Sequence, residues 1–188
     1  MGLFKHVFFF LTLSFLFPAG AQEFLAGADA VLQEPPVLSF MAHDAAKGIR
    51  RLKAADYPGG QVTLALTGSC NTYLLSRIKK SMAAASSLRF TLDLSAVTGM
   101  EALDREVLSD CINLTAVVIS PSMQDINPSA FSGCRALTRL SAPEESAFFS
   151  SRQDGLLYSK DGSRLVLVPP GLSGTLKQIE EIGRASCR

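Results

Sequence analysis

Apolar residues recur at a fixed interval of 23 residues through the second half of the chain. Residues 108–117 (LSDCINLTAV) and 131–140 (FSGCRALTRL) show this interval most clearly. The matched positions are nearly all apolar or cysteine, and the pairs are Met100 and Met123, Leu103 and Ile126, Leu108 and Phe131, Cys111 and Cys134, Leu114 and Leu137, Val117 and Leu140, and Ile119 and Ala142. Equal spacing of apolar positions indicates structural units that bury one shared core.

The same strand pattern occurs twice upstream, at wider spacing. Residues 62–67 (VTLALT) and 90–95 (FTLDLS) alternate apolar and polar side chains, which predicts two short strands. The segment between them predicts a helix, with Asn71 as its N-cap. Its apolar residues at helical spacing are Leu74, Ile78, Met82 and Ala85.

The interval and the spacing Leu114-x-x-Val117-x-Ile119 are typical of a leucine-rich repeat. We therefore predict an α/β fold, a leucine-rich repeat solenoid with short parallel strands on its concave face. Cys111 and Cys134 then occupy equivalent positions in adjacent units, and we interpret them as small, buried core residues. A disulfide or a metal pair is the alternative, because neighbouring strands lie about 4.8 Å apart.

Residues 119–143 (ISPSMQDINPSAFSGCRALTRLSAP) resemble the treponemal, or BspA-like, class of leucine-rich repeat. The positions that match its pattern are Ile119, Pro121, Met123, Ile126, Ala130, Phe131, Cys134, Leu137, Leu140 and Pro143. Residues 154–171 (DGLLYSKDGSRLVLVPPG) also look like the hairpin insert typical of that family. The resemblance implies an exported or surface protein of bacteria or some protists, with adhesion as a common role.

The first residues of the chain predict a secretory signal peptide over residues 1–21. Lys5 precedes an apolar run at residues 7–17, which Pro18 ends, and Ala19-Gly20-Ala21 forms a small-x-small cleavage site. The alternative is a membrane anchor, but the apolar run falls well short of the ~20 residues that a spanning helix needs. We therefore expect export to the periplasm or the cell surface of a bacterium, with no integral membrane span.

The mature chain divides into two predicted parts. Residues 22–59 predict an N-terminal helical cap, with a helix over residues 37–55. Residues 60–188 predict the repeat domain, interrupted by the hairpin insert at about 154–171. Asp161-Gly162 has the composition that a two-residue hairpin turn requires.

Charge excludes some classes of partner. The chain has 18 Lys and Arg against 17 Asp and Glu, and removal of the signal peptide takes away Lys5. A neutral chain has no electrostatic footprint for a phosphate backbone, so we expect no nucleic-acid partner. An anionic membrane surface is disfavoured for the same reason.

The sequence has no recognisable catalytic or metal-binding motif. His43 is the one histidine after the predicted cleavage site, and serine-nucleophile, zinc-protease and phosphate-loop patterns are missing. Asn113-Leu114-Thr115 fits a glycosylation sequon, but we interpret it as coincidence because Leu114 is predicted core. We therefore predict a protein that is not an enzyme and has neither cofactor nor metal.

Strand alternation predicts a binding surface on the face opposite the core. The residues expected to line this concave binding face are Thr63, Ala65, Thr91, Asp93, Ala116, Val118, Arg139 and Ser141. They are small, mostly uncharged and partly apolar, which suits a protein or peptide ligand better than a polyanion or a metal.

Two functional hypotheses follow. The first is an exported protein-interaction module, of which a surface adhesin is one form. The alternative is a periplasmic structural or scaffold protein that self-assembles through the ends of its solenoid. Residues 183–188 (GRASCR) are too short to cover a terminal repeat, which predicts either homo-oligomers through the C-terminal end, with Cys187 as an exposed thiol, or a sequence shorter than the evolved unit.

Overall fold

The computed structural model describes residues 34–172. The predicted signal peptide, the C-terminal segment 183–188 and Cys187 lie outside the described residues. In chain order the elements are β1 (Val37–Met41), α1 (Ala42–Ile49), a 3₁₀ turn (Ala54–Asp56), β2 (Gln61–Ser69), α2 (Thr72–Ala84), β3 (Arg89–Thr98), β4 (Ala102–Leu103), β5 (Leu114–Val118), β6 (Asp125–Ile126), a second 3₁₀ turn (Pro128–Phe131), β7 (Arg139–Ser141), β8 (Phe149–Ser151), β9 (Leu157–Ser159) and β10 (Leu165–Leu167).

Five strands form one parallel sheet in the order β1-β2-β3-β5-β7. Parallel neighbours require a crossover of some length between them, and helices α1 and α2 supply the first two crossovers. The short strands β4 and β6 also pair in parallel and form a separate two-stranded sheet. An antiparallel sheet of β10, β9 and β8 follows in the chain.

Helix α2 begins where the sequence predicts. The Asn71 side chain accepts a hydrogen bond from the backbone N–H of Leu74 at 2.9 Å, which satisfies one donor of the first turn. Leu75, Ile78 and Met82 form the fully buried stripe of the helix, whereas Leu74 is only partly buried. The buried face of α2 is therefore shifted by about one residue from the predicted face.

The core lies between the sheet and its crossovers, and the predicted core residues are confirmed. Alternate residues of β2, β3, β5 and β7 point into it, as the period-2 pattern requires. The six residues that define the 23-residue register are all 1% exposed or less, namely Leu114, Val117, Ile119, Phe131, Leu137 and Leu140.

The predicted leucine-rich repeat solenoid is wrong. The described residues form an α/β structure with a five-stranded parallel sheet, two helices and a separate antiparallel sheet, and no solenoid is formed. A solenoid needs successive units of one kind that stack only on their neighbours. Here a 13-residue helix connects β2 to β3, whereas no α-helix lies between β5 and β7. Equal spacing of apolar residues indicates a shared core, but it does not determine which elements connect the strands.

The predicted helical cap is partly wrong as well. Residues 37–41 form strand β1, which pairs in parallel with β2 as the edge of the main sheet. The helix begins only at Ala42 and ends at Ile49, and its buried residues are Ala42, Ala45, Ala46 and Ile49. Met41, the last residue of β1, is 50% exposed. The β-branched and aromatic composition of VLSFM favours a strand over a helix.

The predicted hairpin is part of a larger sheet. β9 pairs antiparallel with β10 on one side and with β8 on the other. Its loop spans residues 160–163, because Ser159 N donates to the Arg164 carbonyl at 2.8 Å, so a two-residue turn is not formed. Asp161 accepts hydrogen bonds from the Ser159 and Ser163 hydroxyls at 2.6 and 2.7 Å, and these bonds lower the pKa of its carboxyl to about 2.

Candidate binding surface

The side of the main sheet that faces away from the core carries two continuous rows of side chains, which we call the open face. The first row consists of Val37, Thr63, Thr91, Ala116 and Arg139. The second row consists of Ser39, Ala65, Asp93, Val118 and Ser141. Strand register brings all eight residues of the predicted binding face together in these rows. Val37 and Ser39 also belong to these rows and are not predicted from the sequence, because their segment is predicted to be helical, whereas its alternating exposure is that of a strand.

No described helix covers the open face. Buried residues of α1, α2 and the inward side of the strands belong to one apolar core, which places both helices on the opposite side of the sheet. Most residues of the two rows are half-buried among their neighbours, whereas Val37, Ser39 and Arg139 are exposed. Parallel sheets are almost always covered on both faces. Within residues 34–172 the open face departs from this rule.

The strands of the open face are interrupted by two bulges. Strand β3 has one extra residue opposite the stretch from Ala65 to Thr67 of β2. Strand β5 has one extra residue, Thr115, opposite the step from Phe90 to Thr91 of β3. Thr115 Oγ1 donates to the Phe90 carbonyl at 2.9 Å. Bulges bend a strand and increase its local twist, so the open face is shaped rather than flat.

The two charged residues of the open face have different roles. Asp93 Oδ1 accepts a hydrogen bond from Ser95 N at 2.9 Å and holds the bulge of β3, so this carboxylate is partly structural. Sequence alternation places Asp93 on the face but carries no signal for its part in the bulge. Arg139 makes no salt bridge within residues 34–172, where the one ion pair is His43 with Asp44. The guanidinium of Arg139 is thus the group on this face best placed to meet a carboxylate of a ligand.

The possible sites of chemistry are dispersed. His43 Nε2 lies 3.1 Å from Asp44 Oδ2, and both side chains are more than 60% exposed. Over the described part of the chain, no cluster of histidine, cysteine, aspartate and glutamate has the grouping that a metal ion needs. Asn113, the sequon asparagine, is 5% exposed and therefore inaccessible as an acceptor of glycan.

The cysteines behave as core residues, which confirms the packing interpretation. Cys70, Cys111 and Cys134 are free and buried. The Cys134 thiol donates to the Leu108 carbonyl at 3.0 Å. A hydrogen bond with Cys134, together with burial, raises the pKa of the Cys111 thiol. A thiol held in its neutral form is a poor nucleophile and a poor metal ligand.

The residue before each of these two cysteines has a left-handed backbone. Asp110 has φ 55° and Gly133 has φ 77°, and the two positions are equivalent in the 23-residue register. The two segments related by the 23-residue interval thus form the same turn before their cysteines. A side chain at Gly133 would require the Asp110 carboxylate to move, and the positive φ at this position favours glycine in the second copy.

Comparisons with known proteins add no identification: no family model, no curated protein and no solved structure matches the chain. The resemblance to BspA-like repeats therefore stays a prediction from the quoted residues. Within residues 34–172, neither helix combines the length and the apolar character needed to cross a bilayer.

Proposed function

We propose that this protein is an exported protein-interaction module that binds a protein or an extended peptide on the open face. The observation that supports it is a parallel sheet with one face packed by the core and the other free of any described element. Export to the periplasm or cell surface is part of the proposal and is supported by the sequence pattern of residues 1–21. Adhesion at the surface is one form that such binding takes.

The dimensions of the open face suit a polypeptide. Five strands at a spacing of about 4.8 Å give a surface about 19 Å wide. Small side chains such as Thr63, Ala65 and Ala116 allow the backbone of a ligand to approach closely. They also lose little conformational entropy when a ligand orders them. Specificity then comes from the few larger groups at the margins, chiefly Val37 and Arg139.

A random peptide library displayed on phage provides a defined probe for this proposal. Peptides are selected on the wild-type protein and are then measured against a double variant, Ala65→Glu with Val118→Glu, which places two carboxylates in the second row. We expect the selected peptides to lose at least tenfold in affinity. The matched control is Tyr73→Glu with Ile112→Glu, because these exposed apolar residues lie off the open face and are 69% and 64% exposed.

The control variant should bind the same peptides as the wild type. If peptides lose affinity equally for both double variants, or keep it for both, the binding site lies elsewhere. Failure to select any peptide over several rounds would also contradict a polypeptide-binding role. Circular dichroism of each variant shows that a loss of binding is not a loss of fold.

A further inference from the structure

Strand β1 leaves one edge of the main sheet without a partner among residues 34–172. Thr63 N donates to the Pro36 carbonyl at 2.9 Å, so Pro36, Leu38 and Phe40 direct their backbone groups toward β2. The backbone N–H and C=O groups of the alternate residues, Val37, Ser39 and Met41, therefore point away from the sheet. Exposed edge groups of this kind are a template for another strand.

The opposite edge of the sheet is occupied, which makes the contrast informative. On β7, Leu140 N donates to the Gly155 carbonyl at 2.9 Å, and Ala142 N donates to Ser151 Oγ at 3.1 Å. Residues at and next to the antiparallel sheet thus satisfy the outer groups of β7. Strand β1 is short and follows Pro35-Pro36, but VLSFM itself contains no charge, no proline and no bulge.

The sequence of β1 is complementary to itself in antiparallel register. Pairing about a twofold axis at Ser39 places Val37 opposite Met41 of the second copy, and Leu38 opposite Phe40. The outward groups of Ser39 then form a reciprocal hydrogen-bonded pair. Met41 is the N-cap of α1, and its carbonyl already accepts a hydrogen bond within the helix, so it is not free to pair with the second copy. The remaining outward groups of the two strands form about four backbone hydrogen bonds between the copies.

The side chains of this pairing are also matched. Val37 and Met41 are 63% and 50% exposed, and they are two of five large apolar residues exposed in the described region. In the proposed register Val37 of one copy lies opposite Met41 of the other. No charge lies within the paired segment itself.

We propose that β1 is a homodimerisation edge, at which a second copy of this chain adds its own β1 in antiparallel orientation. The two five-stranded sheets then join into one of ten strands, and the two open faces become continuous. An isologous contact of this type closes on itself and stops at the dimer. The proposal does not depend on whether the open face binds a ligand.

Cross-linking tests the register directly. In a Cys187→Ser background, Ser39→Cys places two thiols at the twofold axis, where paired residues have Cα atoms about 5.5 Å apart. A bifunctional thiosulfonate that spans about one strand spacing should convert most of the protein into a covalent dimer. The matched control is Ala65→Cys on the neighbouring strand, where the two thiols lie about three strand spacings, or about 14 Å, apart. It should remain monomeric on denaturing gels.

Sedimentation tests the backbone pairing separately. Ser39→Pro removes only the N–H that faces the partner and leaves the bonds to β2 intact, a position where proline is tolerated. We expect the wild type and Ser39→Thr to sediment as dimers and Ser39→Pro as a monomer with unchanged circular dichroism.

Four results would overturn the proposal. The first two are a monomeric wild type and a dimeric Ser39→Pro variant. The third is equal cross-linking of the Ser39→Cys and Ala65→Cys variants. The fourth is a Ser39→Cys variant that sediments as a dimer but gives no covalent dimer with the cross-linker, because the two chains would then meet elsewhere.

Discussion

The side-chain amide of Asn113 donates a hydrogen bond to the backbone carbonyl of Met82 at 2.7 Å. A second contact reaches the carbonyl of Ala85 at 3.3 Å. Helix α2 ends here, and the last carbonyls of a helix have no partner within it. One buried asparagine thus joins the end of α2 to the beginning of β5.

This contact predicts that Asn113 is important for stability. Asn113→Ala should lower the free energy of unfolding by about 1–3 kcal/mol, because it removes two buried hydrogen bonds and leaves the Met82 and Ala85 carbonyls with one backbone donor each. Asn113→Asp should cost more, since a carboxylate would face those carbonyls. Urea denaturation of both variants measures the difference. An aspartate variant as stable as the alanine variant would contradict the assigned orientation of the amide.

The register of the core predicts a clear contrast between the two sides of the sheet. Ile119→Ala or Leu137→Ala should each cost about 2–5 kcal/mol, because both side chains are completely buried. Arg139→Ala on the open face should change stability by less than about 0.5 kcal/mol. The midpoint of chemical denaturation is a sufficient measure. Losses below about 0.5 kcal/mol at both core positions would show that the register is wrong.

Asp93 is a case where structure changes the expectation from sequence. Alternation alone predicts that Asp93→Ala is tolerated, since the residue is on the outer face. Its hydrogen bond to Ser95 N instead predicts a loss of about 0.5–1.5 kcal/mol. Asp93→Asn keeps an acceptor oxygen and should retain most of the stability. If the alanine and asparagine variants unfold at the same denaturant concentration, the side chain does not hold the bulge.

The Cys111 thiol predicts a dependence of stability on alkaline pH. Its pKa is raised in the folded protein, first by the hydrogen bond with Cys134 and then by burial. Below the ordinary thiol pKa of about 8.5, both folded and unfolded states are neutral and the contribution is intact. Above it, the unfolded thiol ionises while the folded one does not, so stability falls as pH rises.

Comparison of the wild type with Cys111→Ala measures this contribution together with that of Cys134, whose pKa the same hydrogen bond lowers. Above about pH 8.5, the free energy of unfolding of the wild type should fall relative to that of Cys111→Ala by up to about 1.4 kcal/mol per pH unit. Below about pH 8 the difference between the two should be constant. Urea titrations at intervals of about one pH unit between roughly pH 7 and pH 10 supply the measurement. A difference that does not change across this range would mean that the folded thiol ionises normally.

The sequence predicts positions better than it predicts connections. The pairing of Val117 with Leu140 and of Ala116 with Arg139 is observed as strand register, because both follow from the apolar alternation. The N-cap at Asn71 is also confirmed, since it depends on local hydrogen bonding. These features are determined by residues close in sequence or by a strict period.

Features that depend on tertiary context could not be predicted in this way. Val37–Met41 is a strand because β2 supplies a partner for it, and a five-residue apolar run does not by itself distinguish strand from helix. The bulge at Asp93 depends on the opposing strand. The solenoid is wrong because a 23-residue period holds for only one pair of adjacent units, while the flanking segments form helices or antiparallel strands.

The lengths of the central strands have a consequence for the order of folding. β2 and β3 are nine and ten residues long and are joined through α2, whereas β7 has only three residues. Segment 61–98 therefore brings together the longest strand pairing of the sheet across a connection that is itself a helix and forms through local contacts. In pulse-labelling during refolding, amides of this segment should become protected from exchange first, and the edges of the sheet should be added to it later.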